Sequence, residues 1–164
     1  MGGWLQQRHQ AELIREDRKV ARAGLVEERG QAAADSALAE LHVLRRHVMQ
    51  REQGLPHAEG QQWRRAAEGH IDQAALAAGL IPEAEEMRVR IRDSLDVVSI
   101  SVIVESPEEG TSAFESRSAT EHVLELLSAY KRGDALPGPT RDEERRRMER
   151  EWHDLENPPD APSS

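Results

Sequence analysis

The side chains best suited to metal binding or proton transfer in this chain are its seven histidines. In helical proteins, zinc and di-iron sites are built from His-Glu-x-x-His or from paired Glu-x-x-His motifs that face inward. Neither pattern occurs here. His70 and His122 lie near apolar stripes, close to Glu68, Glu121 and Glu125, and we interpret both as partly buried or surface histidines without a ligand role. The prediction is therefore no metal and no cofactor.

Other catalytic motifs are also missing from the sequence. There is no Gly-x-Ser-x-Gly elbow, no phosphate-binding glycine loop and no dinucleotide fingerprint. Without cysteine the chain has no thiolate nucleophile, no disulfide and no Cys-ligated zinc. Neighbouring carboxylates are frequent, but a chain with 31 acidic residues is expected to have them on solvated faces. We predict a protein that is not an enzyme, with a metal-binding or enzymatic helical bundle as an alternative.

Charge and hydropathy bound the partners and the location. The formal net charge of −9 argues against nucleic acid, since a general binder needs a cationic face to displace counterions. No apolar run reaches the roughly 18 to 20 residues of a membrane span, and the first residues lack the apolar region of a signal peptide. The sequence predicts a cytoplasmic protein.

The longest predicted element covers residues 4–53, which contain no proline and are rich in strong helix formers. Only its second half has apolar residues at steps of three and four, which is typical of one buried stripe. That stripe consists of Ala34, Leu38, Leu41, Leu44 and Val48. The first half is mostly charged, and its heptad step from Leu13 to Val20 is not sustained. We expect residues 1–33 to project from the domain.

Three shorter helices are predicted to pack antiparallel on the apolar half, at about 58–78, 82–105 and 113–132. Residues 97–104 are β-branched enough for a strand, but a lone strand would have no partner, so we predict a helix. Ser106-Pro107-Glu108-Glu109 is typical of a helix start. In the last of these helices we expect five side chains to face inward: Phe114, Val123, Leu124, Leu127 and Tyr130.

The predicted fold is all-α, with a long N-terminal helix and shorter antiparallel helices forming a helical bundle over residues 34–133. Residues 134–139 form a Pro/Gly linker, residues 140–157 a loosely attached amphipathic helix, and residues 158–164 a disordered tail. Thr140 with Glu143 has the spacing of a capping box.

The predicted function is a non-enzymatic helical scaffold or protein-interaction module, acting by self-association or partner binding through residues 4–30. The last helix adds an apolar stripe that must be buried on the bundle or on a partner. The candidate contacts are Trp4, Leu5, Leu13, Val20, Leu25, Met148, Trp152 and Leu155.

A family resemblance involves the opening Gly3-Trp4-Leu5-Gln6-Gln7-Arg8-His9, the charged helix after it, and the passage from Ser99 into Ser106-Pro107-Glu108. These features resemble uncharacterised helical proteins of high-GC bacteria, which often carry a membrane span just before such a start. The resemblance implies no activity. It supports one alternative, a membrane-proximal cytoplasmic domain at the inner face of the membrane, with Trp4 at the interface and Arg8 on the cytoplasmic side.

Overall fold

A computed structural model describes the backbone of residues 3–51, 57–103 and 111–156. Side chains are described at residues 12, 14–50, 60–102 and 114–153. The only regular secondary structure in these parts of the chain is helical: α1 (Gly3–Arg51), α2 (His57–Gly79), α3 (Glu85–Ile103), α4 (Thr111–Arg132) and α5 (Arg141–Glu156). The predicted all-α bundle with a long first helix is confirmed.

The first four helices pack in a ring around one core. Contacts join α1 to α2, α2 to α3, α3 to α4 and α4 to α1, so α1 and α3 lie diagonally across the bundle. The expectation that all three shorter helices pack on α1 is wrong for α3. Chain neighbours pack side by side, and a four-membered ring leaves the first and third helices without direct contact.

Side-chain contacts along α1 show that its two neighbours run antiparallel to it. His47 contacts Trp63 of α2, and Glu40 contacts His70 of α2. Residue numbers therefore rise along α2 as they fall along α1, which makes the two helices antiparallel. The same order holds for α4, because Arg45 pairs with Glu121 and Asp35 with Lys131.

The core is built from the apolar stripe predicted on α1 and from apolar residues of α2, α3 and α4. On α2, the residues at helical spacing that are buried are Trp63, Ala67, Ile71, Ala74 and Ala78. The largest buried side chains are Leu41, Leu44, Ile81, Met87, Ile91, Leu95, Val98, Val102, Val123, Leu126 and Leu127. Facing alanines such as Ala37, Ala67 and Ala74 fill the remaining space, which lets α1 and α2 approach closely.

One inward prediction fails at the start of α4. Phe114 is 60% exposed, and its ring centroid lies 5.7 Å from the guanidinium carbon of Arg117. The first buried residue among the described side chains of α4 is Ser116, so Phe114 lies outside the turns of α4 whose side chains reach the core.

The ambiguous β-branched segment is helical through Ile103, since α3 continues to that residue. Val97, Val98 and Val102 are buried there, which explains the β-branched composition as core packing rather than strand pairing. Val104, the predicted helix start at 106–109, the predicted end of the first helix at residue 53 and the tail at 158–164 lie outside the described residues.

Candidate functional site

Within the predicted interaction region, residues 4–30, every side chain from 14 to 25 is exposed although the backbone is helical. Ile14 is 52% exposed, Val20 69% and Leu25 54%. The core side of α1 begins at Gly30 and continues through Ala33 and Ala34. About four turns of helix thus separate Ile14 from the first buried position among the described side chains of α1.

The structure does not bring all the predicted contacts on α1 onto one surface. Val20 and Leu25 are five residues apart, which separates them by roughly 140° around a helix that turns about 100° per residue. Ile14, which the sequence analysis did not select, is eleven residues from Leu25 and lies on the same side. The side chains of Trp4, Leu5 and Leu13 are outside the described residues.

Charges on this part of α1 are sorted by side. At about 100° per residue, the basic side chains fall within one arc of roughly 100° and the acidic side chains within the remaining circumference. All ten are exposed. The basic side carries Arg15, Arg18, Lys19, Arg22 and Arg29, and the acidic side carries Glu12, Glu16, Asp17, Glu27 and Glu28.

The last helix has two different faces. Met148 and Trp152, four residues apart, are 51% and 68% exposed and do not pack on the bundle. The opposite face of α5 contacts α3 through charged residues: Arg150 forms an ion pair with Asp93, and Arg146 with Asp96. Leu155, the third predicted member of the apolar stripe, has a side chain outside the described residues.

A buried polar cluster joins α3, α4 and α5, and sequence analysis missed it. Glu143, only 4% exposed, lies at its centre. Its Oε1 accepts hydrogen bonds from Nε2 of His122 at 2.9 Å and from the hydroxyl of Ser94 at 3.3 Å. Its Oε2 accepts from Arg90 at 3.3 Å and from the backbone N–H of Thr140 at 2.9 Å. The expectation of a loosely attached fifth helix is therefore wrong, because this buried carboxylate holds α5 on the bundle.

The capping box predicted at the start of α5 is present and belongs to this cluster. The backbone N–H of Glu143 donates to the Thr140 hydroxyl at 3.2 Å, while the Glu143 carboxylate accepts from the N–H of Thr140. The linker before it has no helix, as predicted. Leu136 packs against the core and the carbonyl of Gly138 accepts a hydrogen bond from Arg90, so contacts fix this linker on the bundle.

The ionisation of Glu143 follows from these partners. Burial alone would raise the pKa of its carboxyl, but the hydrogen bonds from His122 and from the Thr140 N–H, with the positive charges of His122 and Arg90, outweigh it. The net effect lowers the pKa of Glu143 below its ordinary value of 4.5. Glu143 is thus a carboxylate at neutral pH, and its Nε2 partner on His122 must be the hydrogen donor.

The cluster has neither the geometry of a metal site nor that of a catalytic triad. In the described part of the chain, no group of three or more His, Asp or Glu side chains could hold a metal ion. The guanidinium of Arg90 already lies beside both Glu143 and His122. Ser94 and His122 bind the same oxygen of Glu143, so the histidine does not stand between serine and acid as a triad requires.

Histidines 47 and 70 also have structural partners. The His47 ring stacks on Trp63 with 5.1 Å between ring centroids, its Nε2 contacts the Trp63 carbonyl, and the indole N–H of Trp63 donates to the His47 carbonyl. The Nδ1 of His70 lies 2.8 Å from a carboxylate oxygen of Glu40. Both contacts join α1 to α2.

The cap is visible in the sequence but the cluster is not, because the capping role alone accounts for Glu143 at its position. A signal was present on α3, where Asp93 and Ser94 interrupt an otherwise apolar side of the helix and both are buried. Two adjacent polar residues among inward positions indicate a polar partner arriving from elsewhere in the chain.

Among the described helices, none is both long enough and apolar enough to cross a membrane. The membrane-proximal hypothesis depends on Trp4 and Arg8, whose side chains lie outside the described residues. Comparison of the chain with protein-family models, with curated proteins and with solved structures found no match. A functional conclusion therefore has to be drawn from the geometry above.

Proposed function

We propose that this protein is a helical interaction module whose binding surface is the exposed part of α1. The observation that carries the proposal is the run of exposed side chains from Ile14 to Leu25 on a continuous helix. The bundle gives α1 a rigid base from Gly30 onward. The helical turns before Gly30 expose the side chains of residues 14–25 to a binding partner.

The energetics of an exposed helix support this function. A helix that is polar on nearly all sides is marginal in water unless it bridges to another surface or is stabilised by many intrahelical ion pairs. Over residues 14–29 the structure has no intrahelical ion pair between described side chains. Burial of Ile14 and Leu25 against a partner would supply the stabilisation that the isolated chain does not.

The apolar face of α5 is a second, smaller contact region of the same module. Met148 and Trp152 are exposed on a helix that ion pairs hold in place. A Trp that is 68% exposed on an ordered helix is a strong anchor for a protein interface, since Trp is enriched among residues that dominate binding energy.

Site-specific photocrosslinking in the host cell tests the proposal. A photoreactive residue placed at position 21 of the full chain should link to a discrete polypeptide, either a second copy or another protein. The same residue at position 73, an exposed site on α2, is the control. Equal cross-linking at positions 21 and 73, or none at 21, would overturn the proposal.

A further inference from the structure

The side of α1 that faces away from the bundle has the spacing of a coiled-coil seam. Ile14, Ala21, Leu25 and Ala32 are separated by seven, four and seven residues, and all four are exposed. With Arg18 and Glu28 included, successive members of the set are separated alternately by four and three residues. These six positions, 14, 18, 21, 25, 28 and 32, are the core positions of consecutive heptads.

This seam is separate from the buried stripe that binds the bundle. Gly30, Ala33, Ala37, Leu41 and Leu44 are buried on the bundle side of α1. In the heptad register they occupy outer positions, on the side of the helix opposite the seam. A second helix lying on the seam would therefore not collide with α2 or α4.

The charged residues in and beside the seam lack partners within their own helix. Asp17, Arg18, Arg22, Glu28 and Arg29 have no opposite charge three or four residues away, the spacing at which helical ion pairs form. Within the described part of the chain none of the five forms an ion pair. Glu12 and Arg15, or Glu16 and Lys19, by contrast, have such spacing.

A second copy of the same helix in parallel orientation places an opposite charge beside each of these five residues, while Arg18 and Glu28 each also face their own copy across the seam. The seam has a flank on each side: one contains Asp17, and the other contains Arg15, Arg22 and Arg29. Parallel, in-register packing places each flank of one helix beside the opposite flank of the other helix. Arg18 then lies beside Asp17 of the second copy, and Glu28 beside Arg29 of the second copy. Asp17 is also five residues before Arg22, the separation at which flanking residues pair across a parallel coiled coil.

Antiparallel packing of the same seam would bring Arg18 opposite Glu28 but would be repulsive along one flank. It places like flanks together, so that the basic row of Arg15, Arg22 and Arg29 would face its own copy. The flanking charges therefore favour the parallel orientation.

We infer that two copies of this protein associate in parallel through the seam of α1, with their bundles on the outer sides. This inference deepens the proposed interaction function and rests on it, by naming a second copy as the partner. The apolar positions Ile14, Ala21, Leu25 and Ala32 form the core of the contact. The sorted charges fix its register, and Arg18 at a core position favours two helices over larger assemblies at some cost in stability.

Light scattering on a size-exclusion column, over a tenfold concentration range of the purified full chain, tests the association. The expected mass is twice the 18.4 kDa of one chain. The variant with both Ile14→Asp and Leu25→Asp should elute as a monomer and should retain most of its helix content in circular dichroism, because both residues are exposed and the bundle stays intact. A native chain that remains monomeric throughout the range would overturn the dimer.

Orientation is tested by cysteine cross-linking, which needs no background mutations because the chain has no cysteine. Ile14→Cys and Leu25→Cys, made separately, should both give disulfide-linked dimers. In an antiparallel pair the two-fold axis is perpendicular to the helices, so identical positions of the two copies meet at only one place along the helix. Ala23→Cys, on the bundle side, is the control. A dimer in which only one of the two seam variants links would overturn the parallel arrangement.

Charge reversal tests the register. Arg22→Glu should raise the dissociation constant by about tenfold, since it places a second carboxylate against Asp17 of the other copy. Lys19→Glu makes the same change in net charge outside the seam and should leave the constant within about twofold. Asp17→Asn combined with Arg22→Glu should weaken the dimer by less than the product of the two separate effects, because the new carboxylate at position 22 then faces no charge at position 17. Multiplicative effects of the two changes would overturn the proposed pairing.

These results separate the two proposals. A monomeric chain that still cross-links to another protein at position 21 in the host would remove the dimer and retain the interaction function. A chain that is monomeric and also fails to cross-link above the control would remove both.

Discussion

At the scale of single residues, Glu143 shows how one side chain can have two structural roles. Its carboxylate closes the capping box of α5 through Thr140 and also accepts hydrogen bonds from His122, Ser94 and Arg90. The capping role is local and is visible in the spacing of two residues. The second role depends on α3 and α4, so it appears only when those helices are in place.

Gly30 is a second residue whose role is set by its neighbours. A Cβ at this position would overlap the hydroxyl of Tyr130 and lie 3.3 Å from Cδ of Pro82. Burial, followed by the charges of Glu27 and Glu83, raises the pKa of Tyr130 above its ordinary value of 10.0. Glycine in the middle of α1 is therefore explained by close packing against α4 rather than by a bend.

The first prediction concerns Gly30. Glycine costs about 1 kcal/mol relative to alanine inside a helix, so Gly30→Ala should stabilise the protein where space allows. In the native chain we expect no gain or a loss of stability, because the new methyl group displaces the Tyr130 hydroxyl. With Tyr130→Phe also present, we expect Gly30→Ala to be stabilising by about 0.5 to 1 kcal/mol. Urea unfolding of the four proteins measures this coupling, and equal effects of Gly30→Ala in both backgrounds would contradict it.

At the scale of elements, α5 is attached mainly by polar contacts. Its bundle side presents Glu143, Arg146 and Arg150 to α3, while Met148 and Trp152 remain exposed. An element held by a buried carboxylate responds to pH in a way that an element held by apolar side chains does not. The lowered pKa of Glu143 gives the direction of that response.

The second prediction is that acid weakens the attachment of α5. Because the folded-state pKa of Glu143 lies below its ordinary value of 4.5, its contribution to stability is complete above that value. The contribution is lost as pH falls through the lowered folded-state pKa. Glu143→Gln should lower the free energy of unfolding by about 1 to 3 kcal/mol at neutral pH and should reduce its further fall in acid.

The matched control for this variant is Glu144→Gln, which changes the adjacent exposed carboxylate on the same helix. It should leave both the stability at neutral pH and its acid dependence close to those of the native chain. Denaturant unfolding at a series of pH values measures both variants. Equal behaviour of Glu143→Gln and Glu144→Gln would contradict the role assigned to the cluster.

At the scale of the whole molecule, stability is distributed unevenly along α1. One continuous helix has its core side at Gly30 to Val48 buried against α2 and α4, whereas residues 14–25 are exposed. Backbone hydrogen bonds of the same type therefore have very different protection from solvent. The difference is set by packing, because helix propensity is similar in the two halves.

The third prediction uses this contrast. In dilute solution, amide hydrogens of residues 14–25 should exchange at least about tenfold faster than those of residues 33–48. As protein concentration rises into the dimeric range, the exchange of residues 14–25 should slow, while residues 33–48 should change little. Mass-spectrometric hydrogen exchange with the Ile14→Asp/Leu25→Asp variant as the monomeric control measures this. Slow exchange of residues 14–25 at every concentration would contradict an exposed surface on α1.

Much of the fold follows from local pattern. The proline-free stretch, the apolar steps of three and four, and the Thr140 capping box predicted the helices and their inward stripes, because helix formation and amphipathicity depend on residues within a few turns. The same local information accounts for α3 as a helix, since Val98 and Val102 fit its buried stripe. It also predicted that residues 1–33 project from the bundle. Residues 14–25 are exposed, but Gly30 and Ala33 are buried, so the buried side of α1 begins earlier than predicted.

The remaining features depend on distances between residues far apart in the chain. Glu143 meets His122 and Ser94 across 21 and 49 residues, and Gly30 meets Tyr130 on the neighbouring helix. Phe114 has the composition of a core residue but lies before the first buried turn of α4. The heptad spacing of Ile14, Ala21 and Leu25 is present in the sequence. The packing of the bundle, however, determines which side of α1 remains exposed to solvent. Composition and periodicity therefore determined the helices and their apolar sides, while packing of the bundle determined which polar groups meet and which face of α1 remains open.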